Sequence, residues 1–168
     1  MSDETRLSVD QEADVVAVRQ KGRELAASVG ISNSELTVVA TAISEIARNI
    51  IAYTQKGEIV LKTVQQGKRR GLIVIAHDDG PGIADLNLAM RDGFSTGKTL
   101  GLGLPGARRL MDDFEIVSEL GKGVTVQWRS GRDDHFGALV QRNNPLGCRK
   151  PGAWGGASIW RLTFCHTV

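Results

Sequence analysis

The sequence predicts an α+β fold, a two-layer sandwich in which a mixed β-sheet carries helices on one face. Three observations predict it: two helical patterns follow a first short strand, two strand patterns then stand side by side, and another pair of strands follows later in the chain. Strands that are adjacent in sequence, rather than separated by helices, disfavour a doubly wound parallel sheet. The chain has 168 residues, 41% hydrophobic and 24% charged, which suffices for one domain with a sizeable core.

The N-terminal part provides one strand and two long helices. Residues 5–9 alternate polar and apolar side chains and predict a strand. Apolar residues recur at helical spacing over 12–29, and Gly30 is placed to end that helix. Ser32, followed three residues later by an acid, has the form of a capping box. It begins a second helix, which we expect to run to Tyr53.

Two hairpins and a short helix are the other regular elements. We expect them over residues 57–66 and 71–77 for the first hairpin, 85–91 for the helix, and 112–120 and 124–129 for the second hairpin. Between the helix and the second hairpin, residues 92–99 mix glycines, hydroxyls and a lysine without periodicity. Such a segment is typical of a loop that closes over a ligand.

The first of two glycine-rich turns directly follows an apolar strand and reads Asp78-Asp-Gly-Pro-Gly-Ile83. Its glycines tolerate positive φ or close contact, while its proline fixes one φ, so the corner is stiff. A carboxylate at such a strand end can accept a hydrogen bond from an exocyclic amine, and Asp78 is our candidate for binding adenine. Taken alone, an ordinary strand-to-helix turn with an Asp cap explains the segment at least as well.

The second glycine-rich turn reads Leu100-Gly-Leu-Gly-Leu-Pro-Gly106 and leads into an amphipathic run at 107–111. Glycines at a helix start leave backbone N–H groups pointing outward, and the helix dipole adds partial positive charge, so this end can bind an anion. The spacing is neither that of a Walker A loop nor that of a dinucleotide-binding fingerprint. Together with the Asp78 turn, it predicts a nucleotide site.

An acid and an amide share one face of the second predicted helix. On a helical wheel Glu45 and Asn49 lie beside small residues and away from the middle of the apolar stripe, which consists of Leu36, Val39, Ile43, Ile46 and Ile50. A solvated polar face explains the pair. Alternatively, Asn49 offers an oxygen to Mg²⁺ and Glu45 is a base one helical turn away. The wheel allows both interpretations.

These motifs resemble the GHKL ATP-binding family, shared by histidine kinases, gyrase-type ATPases and a group of bacterial protein serine kinases. Glu45-Ile-Ala-Arg-Asn49 resembles its N box, Asp78-Asp-Gly-Pro-Gly82 its first glycine box and Gly101-Leu-Gly-Leu-Pro-Gly106 its second. The resemblance extends from Thr5 to about Arg129. The stretches AISEIARNI, DDGPGI and DGFSTGKTLGLGLPGARRLMDDF are more closely similar to the small switch-protein serine kinases of the stressosome. The implied fold is the Bergerat (HATPase_c) sandwich with an ATP lid.

The resemblance implies ATP and Mg²⁺ as cofactors and assigns roles to individual residues. Glu45 would be catalytic and would orient or deprotonate the attacking hydroxyl, Asn49 would hold the metal, and Asp78 would bind the adenine amine. The other implied cofactor-binding residues are Gly80, Gly82 and Ile83 in the first glycine box, Ser95, Thr96 and Lys98 in the lid, and Gly101, Leu102, Gly103, Leu104 and Gly106 in the phosphate turn.

The implied function is that of a serine/threonine protein kinase in a bacterial stress-response partner-switching pathway. Its substrates would be Ser or Thr side chains of STAS-domain antagonist and scaffold proteins, with a PP2C-type phosphatase as a further partner. The alternative is an anti-sigma factor, a binding protein of the same fold that sequesters a sigma factor. The catalytic half of a histidine kinase is not expected, because we find no upstream helix pair carrying a phospho-acceptor histidine.

Composition argues against several other classes. The net charge of +2 gives no reason to expect a nucleic-acid partner. We expect no membrane association, because no uninterrupted apolar segment approaches about 20 residues. The N-terminus MSDETRLS lacks the apolar core of a signal peptide, so we expect a cytoplasmic protein. The two cysteines indicate neither a disulfide framework nor a metal site.

The sequence departs from the family pattern in two places. After Gly123 the family usually carries a threonine whose hydroxyl supports the adenine-binding Asp, whereas here Val124 comes first and Thr125 second. Either the turn is one residue longer or that hydroxyl is missing. The second departure follows the ATP-binding domain, which we place at residues 1–130. Residues 131–168 show no useful periodicity and predict a poorly ordered extension or an altered reading of the end of the gene.

Overall fold

A computed structural model of the protein describes residues 4–66, 69–90, 113–131 and 157–163. In chain order the elements are β1 (Glu4–Val9), α1 (Glu12–Ser28), α2 (Asn33–Tyr53), β2 (Gly57–Gln66), β3 (Arg69–Asp78), α3 (Leu86–Ala89), β4 (Asp113–Glu119), β5 (Gly123–Gly131) and β6 (Ala157–Thr163). The predicted two-layer α+β sandwich, with its helices on one face of a sheet, is confirmed.

The six described strands form one sheet in the order β1-β2-β3-β5-β4-β6. Each neighbouring pair of described strands is antiparallel. The order in the sheet departs from the order in the chain, because β5 lies between β3 and β4. The register places Asp78 opposite Gly57 on β2 and opposite Val124 on β5. The two predicted hairpins, β2–β3 and β4–β5, are therefore both present.

The main core lies between the sheet and the two long helices. Alternate strand residues such as Val74 and Trp128 join the apolar stripe of α2 in one buried cluster. All five residues of the predicted stripe are at most 5% exposed. We call the sheet face that bears this core the inner face and the opposite one the outer face. α3 also packs on the inner face, because Leu86 and Met90 belong to the same cluster.

Local capping sets where the two helices begin and end. The predicted capping box starts α2: the Ser32 backbone N–H donates to Glu35 Oε2 at 3.0 Å, and the Ser32 hydroxyl bonds to the same carboxylate. At the start of α1, Asp14 accepts from the Gln11 backbone N–H at 3.0 Å. Gly30 follows the end of α1, as predicted, and donates to the Ala27 carbonyl at 3.0 Å.

Helix α2 is apolar enough to require an explanation. It has 21 residues and a mean hydropathy of 1.2 over its most apolar 18-residue window, which by length and composition alone would suffice to cross a membrane. Half of that window is buried within the fold. The apolar stripe packs against α1 and the sheet, so its place in the core accounts for the hydropathy of α2.

The structure differs from the sequence prediction at two elements. The helix expected over 85–91 is shorter, Leu86–Ala89, and Asp85 caps it by accepting from the Leu88 N–H at 2.9 Å. Within residues 131–168, where no strand was expected, Ala157–Thr163 pairs with β4. This strand contains Ile, Trp and Thr, which favour a pleated surface, and β4 offers it an unpaired edge. The prediction that this region lacks regular structure was therefore wrong for these residues.

Candidate active site

Asp78 ends β3 and is only 8% exposed. Its Oδ1 accepts a hydrogen bond from the Gly80 backbone N–H at 3.0 Å, and the backbone N–H of Val124 on β5 also bonds to the carboxylate. Two main-chain donors therefore fix the orientation of the predicted adenine-binding group. The structure thus presents a buried, oriented carboxylate at this strand end, and its adenine role stays a prediction.

The environment of Asp78 also changes its acidity. Burial raises its pKa above the ordinary value for Asp, because the charged form loses contact with water. The hydrogen bonds from Gly80 and Val124 oppose this rise, since they favour the ionised form, but burial prevails. The carboxylate therefore takes up a proton at a higher pH than an exposed Asp does.

The first glycine turn is attached to the β4–β5 hairpin. The Pro81 carbonyl accepts from the Gly121 N–H at 2.9 Å, and the Ile83 N–H donates to Ser118 Oγ at 2.7 Å. Gly82 has a φ of +76°, and a Cβ added there would lie 2.5 Å from the Glu119 carbonyl oxygen. Glycine is needed at this position because both the left-handed backbone and the close approach exclude a side chain.

Ser118 contacts the first glycine turn, and the sequence interpretation missed it. It lies on β4 opposite Val124, is 2% exposed, and points to the inner face alongside Phe114 and Ile116. The signal that could have found it is a hydroxyl at a core-facing position of an apolar strand. Such a group needs a hydrogen-bond partner, and the turn backbone at Ile83 provides one.

The structure favours one of the two alternatives left open at the closing hairpin. Thr125 pairs with His77, and its hydroxyl lies 2.9 Å from His77 Nδ1 on the outer face. Adjacent strand residues face opposite sides, so this hydroxyl is directed away from Asp78. Asp78 instead has the backbone N–H of Val124. A threonine hydroxyl at this position is therefore missing from the inner face, and a main-chain donor serves the carboxylate.

The predicted base and metal ligand lie on α2. Glu45 has a largely buried side chain, 13% exposed, and its Oε1 lies 3.5 Å from Arg48 Nη1. Arg48 also contacts Glu12 of α1, with Arg48 Nε 3.3 Å from Glu12 Oε1. The Arg48 guanidinium therefore links helix α1 to Glu45, the predicted base on α2. Asn49 is half-buried on the same helix. Both positions of the predicted N box are thus partly accessible beside the core stripe.

Helix α2 touches the first glycine turn directly. A Cβ added at Gly80 would meet the methyl group of Thr54 at 2.2 Å, so the turn backbone packs against the end of α2 without space for a side chain. Thr54 is itself fixed, because its hydroxyl donates to the Ile50 carbonyl at 2.8 Å. The helix that carries Glu45 and Asn49 and the turn that follows Asp78 therefore form one connected unit.

A groove of about 480 Å³ opens between α1 and α2 beside Glu45. Three guanidinium groups and one carboxylate line it, and the remaining lining side chains are uncharged. The lining residues are Val16, Arg19, Gln20, Arg23, Thr37, Ala40, Thr41, Ser44, Glu45 and Arg48. The groove thus combines a carboxylate with a surplus of positive charge.

Part of the predicted site lies outside the residues that the structure describes. This applies to the lid residues Ser95, Thr96 and Lys98 and to the whole second glycine turn with Gly101, Leu102, Gly103, Leu104 and Gly106. The described residues Glu45, Asn49, Asp78, Gly80, Gly82 and Ile83 are distributed over α2 and the end of β3 with its turn. The roles assigned to all these residues remain predictions.

Comparison with known proteins adds to this geometry. The family model described as a histidine kinase-like ATPase domain matches residues 7–128. The chain belongs to this family. The family predicted from the N box and the two glycine boxes is thereby confirmed, and with it a domain built to use ATP.

The chain is also similar to named bacterial regulators of this family. It is 45% identical over 127 residues to serine/threonine-protein kinase RsbT of Bacillus subtilis. This alignment covers 76% of the present chain and 96% of RsbT. It is 34% identical over 96 residues to the anti-sigma F factor of Clostridium kluyveri, covering 55% of this chain and 68% of the factor. For the anti-sigma F factor of Thermoanaerobacter sp. the identity is 33% over 108 residues, which cover 61% of this chain and 74% of that factor. The predicted likeness to switch-protein serine kinases is confirmed.

Proposed function

We propose that this protein is a cytoplasmic serine/threonine protein kinase of a partner-switching pathway of the bacterial stress response. It transfers the γ-phosphate of ATP to Ser or Thr of STAS-domain antagonist and scaffold proteins. The observation that carries the proposal is 45% identity along nearly the whole length of a serine/threonine protein kinase. The positions of Asp78 and Glu45 in the fold support it, because Asp78 is a candidate to bind the nucleotide and Glu45 is a candidate base for the acceptor hydroxyl.

The described residues have the donor chemistry for ATP with Mg²⁺. Asp78 offers carboxylate oxygens to the adenine amine, and Asn49 offers an amide oxygen to the metal. Within the described ranges no group of three His, Cys, Asp or Glu residues could hold a metal ion. Mg²⁺ usually binds through few protein oxygens together with substrate phosphates, so the proposal needs only the amide oxygen of Asn49 from the protein. When bound, Mg-ATP supplies the phosphoryl group and the neutralisation of its charge.

Glu45 is the proposed base for the acceptor hydroxyl. Its carboxylate contacts Arg48 and lines the α1–α2 groove, where we propose that the substrate protein docks. A positioned base contributes on the order of 10²- to 10⁴-fold to such a transfer. The remaining acceleration would come from positioning and from stabilising charge on the transferred group, because the transition state of phosphoryl transfer is loose.

The α1–α2 groove is the proposed docking surface for the substrate protein. Arg19 and Arg23 of α1 face Glu45 and Arg48 of α2 across it. Three guanidinium groups and one carboxylate leave a net positive surface, which fits an acidic segment around the acceptor Ser or Thr. A PP2C-type phosphatase is proposed as a further partner, without a surface assigned to it.

A transfer assay tests the proposal directly. The purified chain is incubated with Mg-ATP and a candidate STAS-domain protein, and mass spectrometry locates phosphate on the partner. We expect one phosphorylated Ser or Thr. If a panel of STAS-domain proteins stays unmodified while the chain binds ATP, the kinase proposal fails.

The docking surface has its own test. Arg23→Glu reverses one charge inside the groove, while Arg70→Glu makes the same change at an exposed position at the start of β3. We expect the first to weaken partner binding and raise the apparent KM for the STAS protein, and the second to leave both nearly unchanged. Equal effects would show that general charge, rather than the groove, governs association.

An anti-sigma factor is the second candidate, because two relatives at 33% and 34% identity carry that name. This reading predicts stable binding of a sigma factor. A pull-down with purified sigma factors in the presence of ATP separates the two functions. Binding without any phosphoryl transfer to STAS-domain partners would favour the second.

A further inference from the structure

Three polar side chains form a chain of hydrogen bonds on the outer face, behind the strand end that carries Asp78. His77 Nδ1 lies 2.9 Å from Thr125 Oγ1 on β5, and His77 Nε2 lies 3.1 Å from Asp79 Oδ1 in the first glycine turn. His77 and Thr125 are register partners, so the imidazole joins the β3–β5 pair to the turn that follows β3. We call Asp79, His77 and Thr125 the His77 bridge.

Both contacts of the bridge persist whether the imidazole is neutral or charged. The ionised carboxylate of Asp79 only accepts hydrogen bonds, so Nε2 of His77 carries a proton and donates to it. In the neutral ring Nδ1 then accepts from the Thr125 hydroxyl, and in the charged ring Nδ1 donates to the hydroxyl oxygen. Glu58, which stands opposite His77 on β2, pairs instead with Arg6 at 3.2 Å.

The two ends of the His77 bridge lie next to the two main-chain donors that hold Asp78. Gly80, whose N–H donates to Asp78 Oδ1 at 3.0 Å, directly follows Asp79. Val124, whose N–H bonds to the same carboxylate, directly precedes Thr125. These donors belong to a turn and a strand that are far apart in the chain. The bridge therefore ties together, from the outer face, the two backbone segments that orient the carboxylate.

The exposure of the bridge decides what kind of effect it has. The side chains of His77 and Asp79 are 47% and 93% exposed. Contacts between such groups contribute little to the free energy of unfolding, because water competes for both partners. Hydrogen bonds weaken steeply as their distance and angle depart from the optimum. A small displacement of the Gly80 or Val124 N–H would therefore change how the carboxylate is held while the fold stays intact.

We propose that His77 is a positioning residue: through the His77 bridge it fixes the two main-chain donors of Asp78 and so orients that carboxylate. The consequence for ATP rests on the proposed function, which assigns the carboxylate to adenine. A misdirected carboxylate binds the nucleotide less tightly, whereas the transfer step depends on Glu45 on another element. Loss of the bridge should therefore raise the KM for ATP and leave kcat at saturating ATP unchanged.

Three variants of the full chain remove the contacts of the bridge, and a fourth is the control. Thr125→Val removes the hydroxyl and keeps a β-branched side chain on the strand. Asp79→Ala removes the other contact at an exposed position of the turn, where a substitution leaves the core untouched. His77→Phe removes both contacts and keeps a planar ring. Glu58→Gln, the control, changes the side chain opposite His77 on β2 without touching the bridge.

Amide hydrogen exchange followed by NMR tests the positioning without any nucleotide. We expect the Gly80 and Val124 amides to exchange faster in the three bridge variants, on the order of threefold to tenfold, as for the loss of one hydrogen bond. The Val74 amide, which lies deeper in β3, should keep its rate in all variants, and Glu58→Gln should change none of the three amides. Unchanged exchange at Gly80 and Val124, or an equal increase at Val74, would overturn the proposal.

Titration with Mg-ATP and transfer kinetics then test the consequence for the nucleotide. We expect the Kd and KM for ATP to rise on the order of threefold to tenfold in Thr125→Val and His77→Phe, with kcat and the Glu58→Gln values unchanged. The double variant should bind ATP no more weakly than His77→Phe alone, because one link is lost in both. Faster exchange with unchanged ATP affinity would refute the role in nucleotide binding. If the unaltered chain binds no ATP, the proposed function fails, and the exchange rates still decide whether the bridge holds the donors.

Discussion

Removing the Ser118 hydroxyl tests whether β4 positions the first glycine turn. In Ser118→Ala the Ile83 N–H loses an acceptor at 2.7 Å, while the shape of the core changes by one atom. An unpaired buried donor costs about 1 to 3 kcal/mol. Ile83 is half-buried, so we expect the lower part of that range, about 1 to 2 kcal/mol. We expect this loss in the free energy of unfolding, and a lower ATP affinity as well, because the turn is proposed to contact the nucleotide.

Ser44→Ala is the matched control. Ser44 is 5% exposed, and its hydroxyl donates to the Ala40 carbonyl at 2.8 Å within α2. That carbonyl keeps its helical hydrogen bond when the hydroxyl is removed, so we expect little change. Urea denaturation and isothermal titration with ATP measure both variants. If Ser118→Ala is as neutral as Ser44→Ala in both assays, the hydroxyl does not position the turn and the reasoning is wrong.

Four further predictions concern the site itself. Asp78→Asn should abolish ATP binding while circular dichroism shows an intact fold, since the carboxylate acceptor is lost; unchanged affinity would contradict the adenine role. Glu45→Gln should keep ATP binding and lose phosphoryl transfer on the order of 10²-fold or more, whereas Glu12→Gln, which removes the other partner of Arg48, should change neither. Gly82→Ala should lower the free energy of unfolding and ATP affinity more than Gly121→Ala, because both glycines have a φ of +76° but only Gly82 of the two faces a carbonyl. Equal losses in denaturation and titration would show that backbone strain from the positive φ is the whole cause. Burial raises the pKa of Asp78. ATP affinity measured against pH should therefore begin to fall on acidification at a higher pH than an exposed Asp would give. The same group should lower the free energy of unfolding as the pH rises from its unfolded-state pKa to its folded-state pKa.

Helix positions and the strand-end acid could be predicted from sequence because each depends on local chemistry. The Ser32 capping box and the apolar stripe set the start and orientation of α2, and both were found where expected. Asp78 was identified because a short apolar strand runs into a glycine turn. Such features involve residues a few positions apart, so a single sequence contains them in full.

What could not be predicted depends on pairing across the sheet. Ser118 and Ile83 are 35 residues apart, and only the β4–β5 register brings them together. The direction of the Thr125 hydroxyl is likewise set by its pairing with His77. Strand β6 was missed because its sequence alternates weakly, and its pairing partner β4 lies about 40 residues earlier. In each case a non-local contact decides what local propensity leaves open.

The Asp78 carboxylate is held by the main chain, without the threonine that the family usually carries after Gly123. An ionised carboxylate has about four lone-pair positions for hydrogen bonds. The N–H groups of Gly80 and Val124 occupy two of them and leave two free for further donors, which the proposed adenine role of Asp78 requires. A backbone donor does not depend on which side chain stands at position 124, so the Val in place of Thr removes a hydroxyl without leaving the carboxylate unsupported. The hydrogen bond from the Val124 N–H therefore depends on the register of β3 and β5. A shift of this pairing by one residue would disrupt the hydrogen bond, whereas a side-chain substitution at Val124 would not.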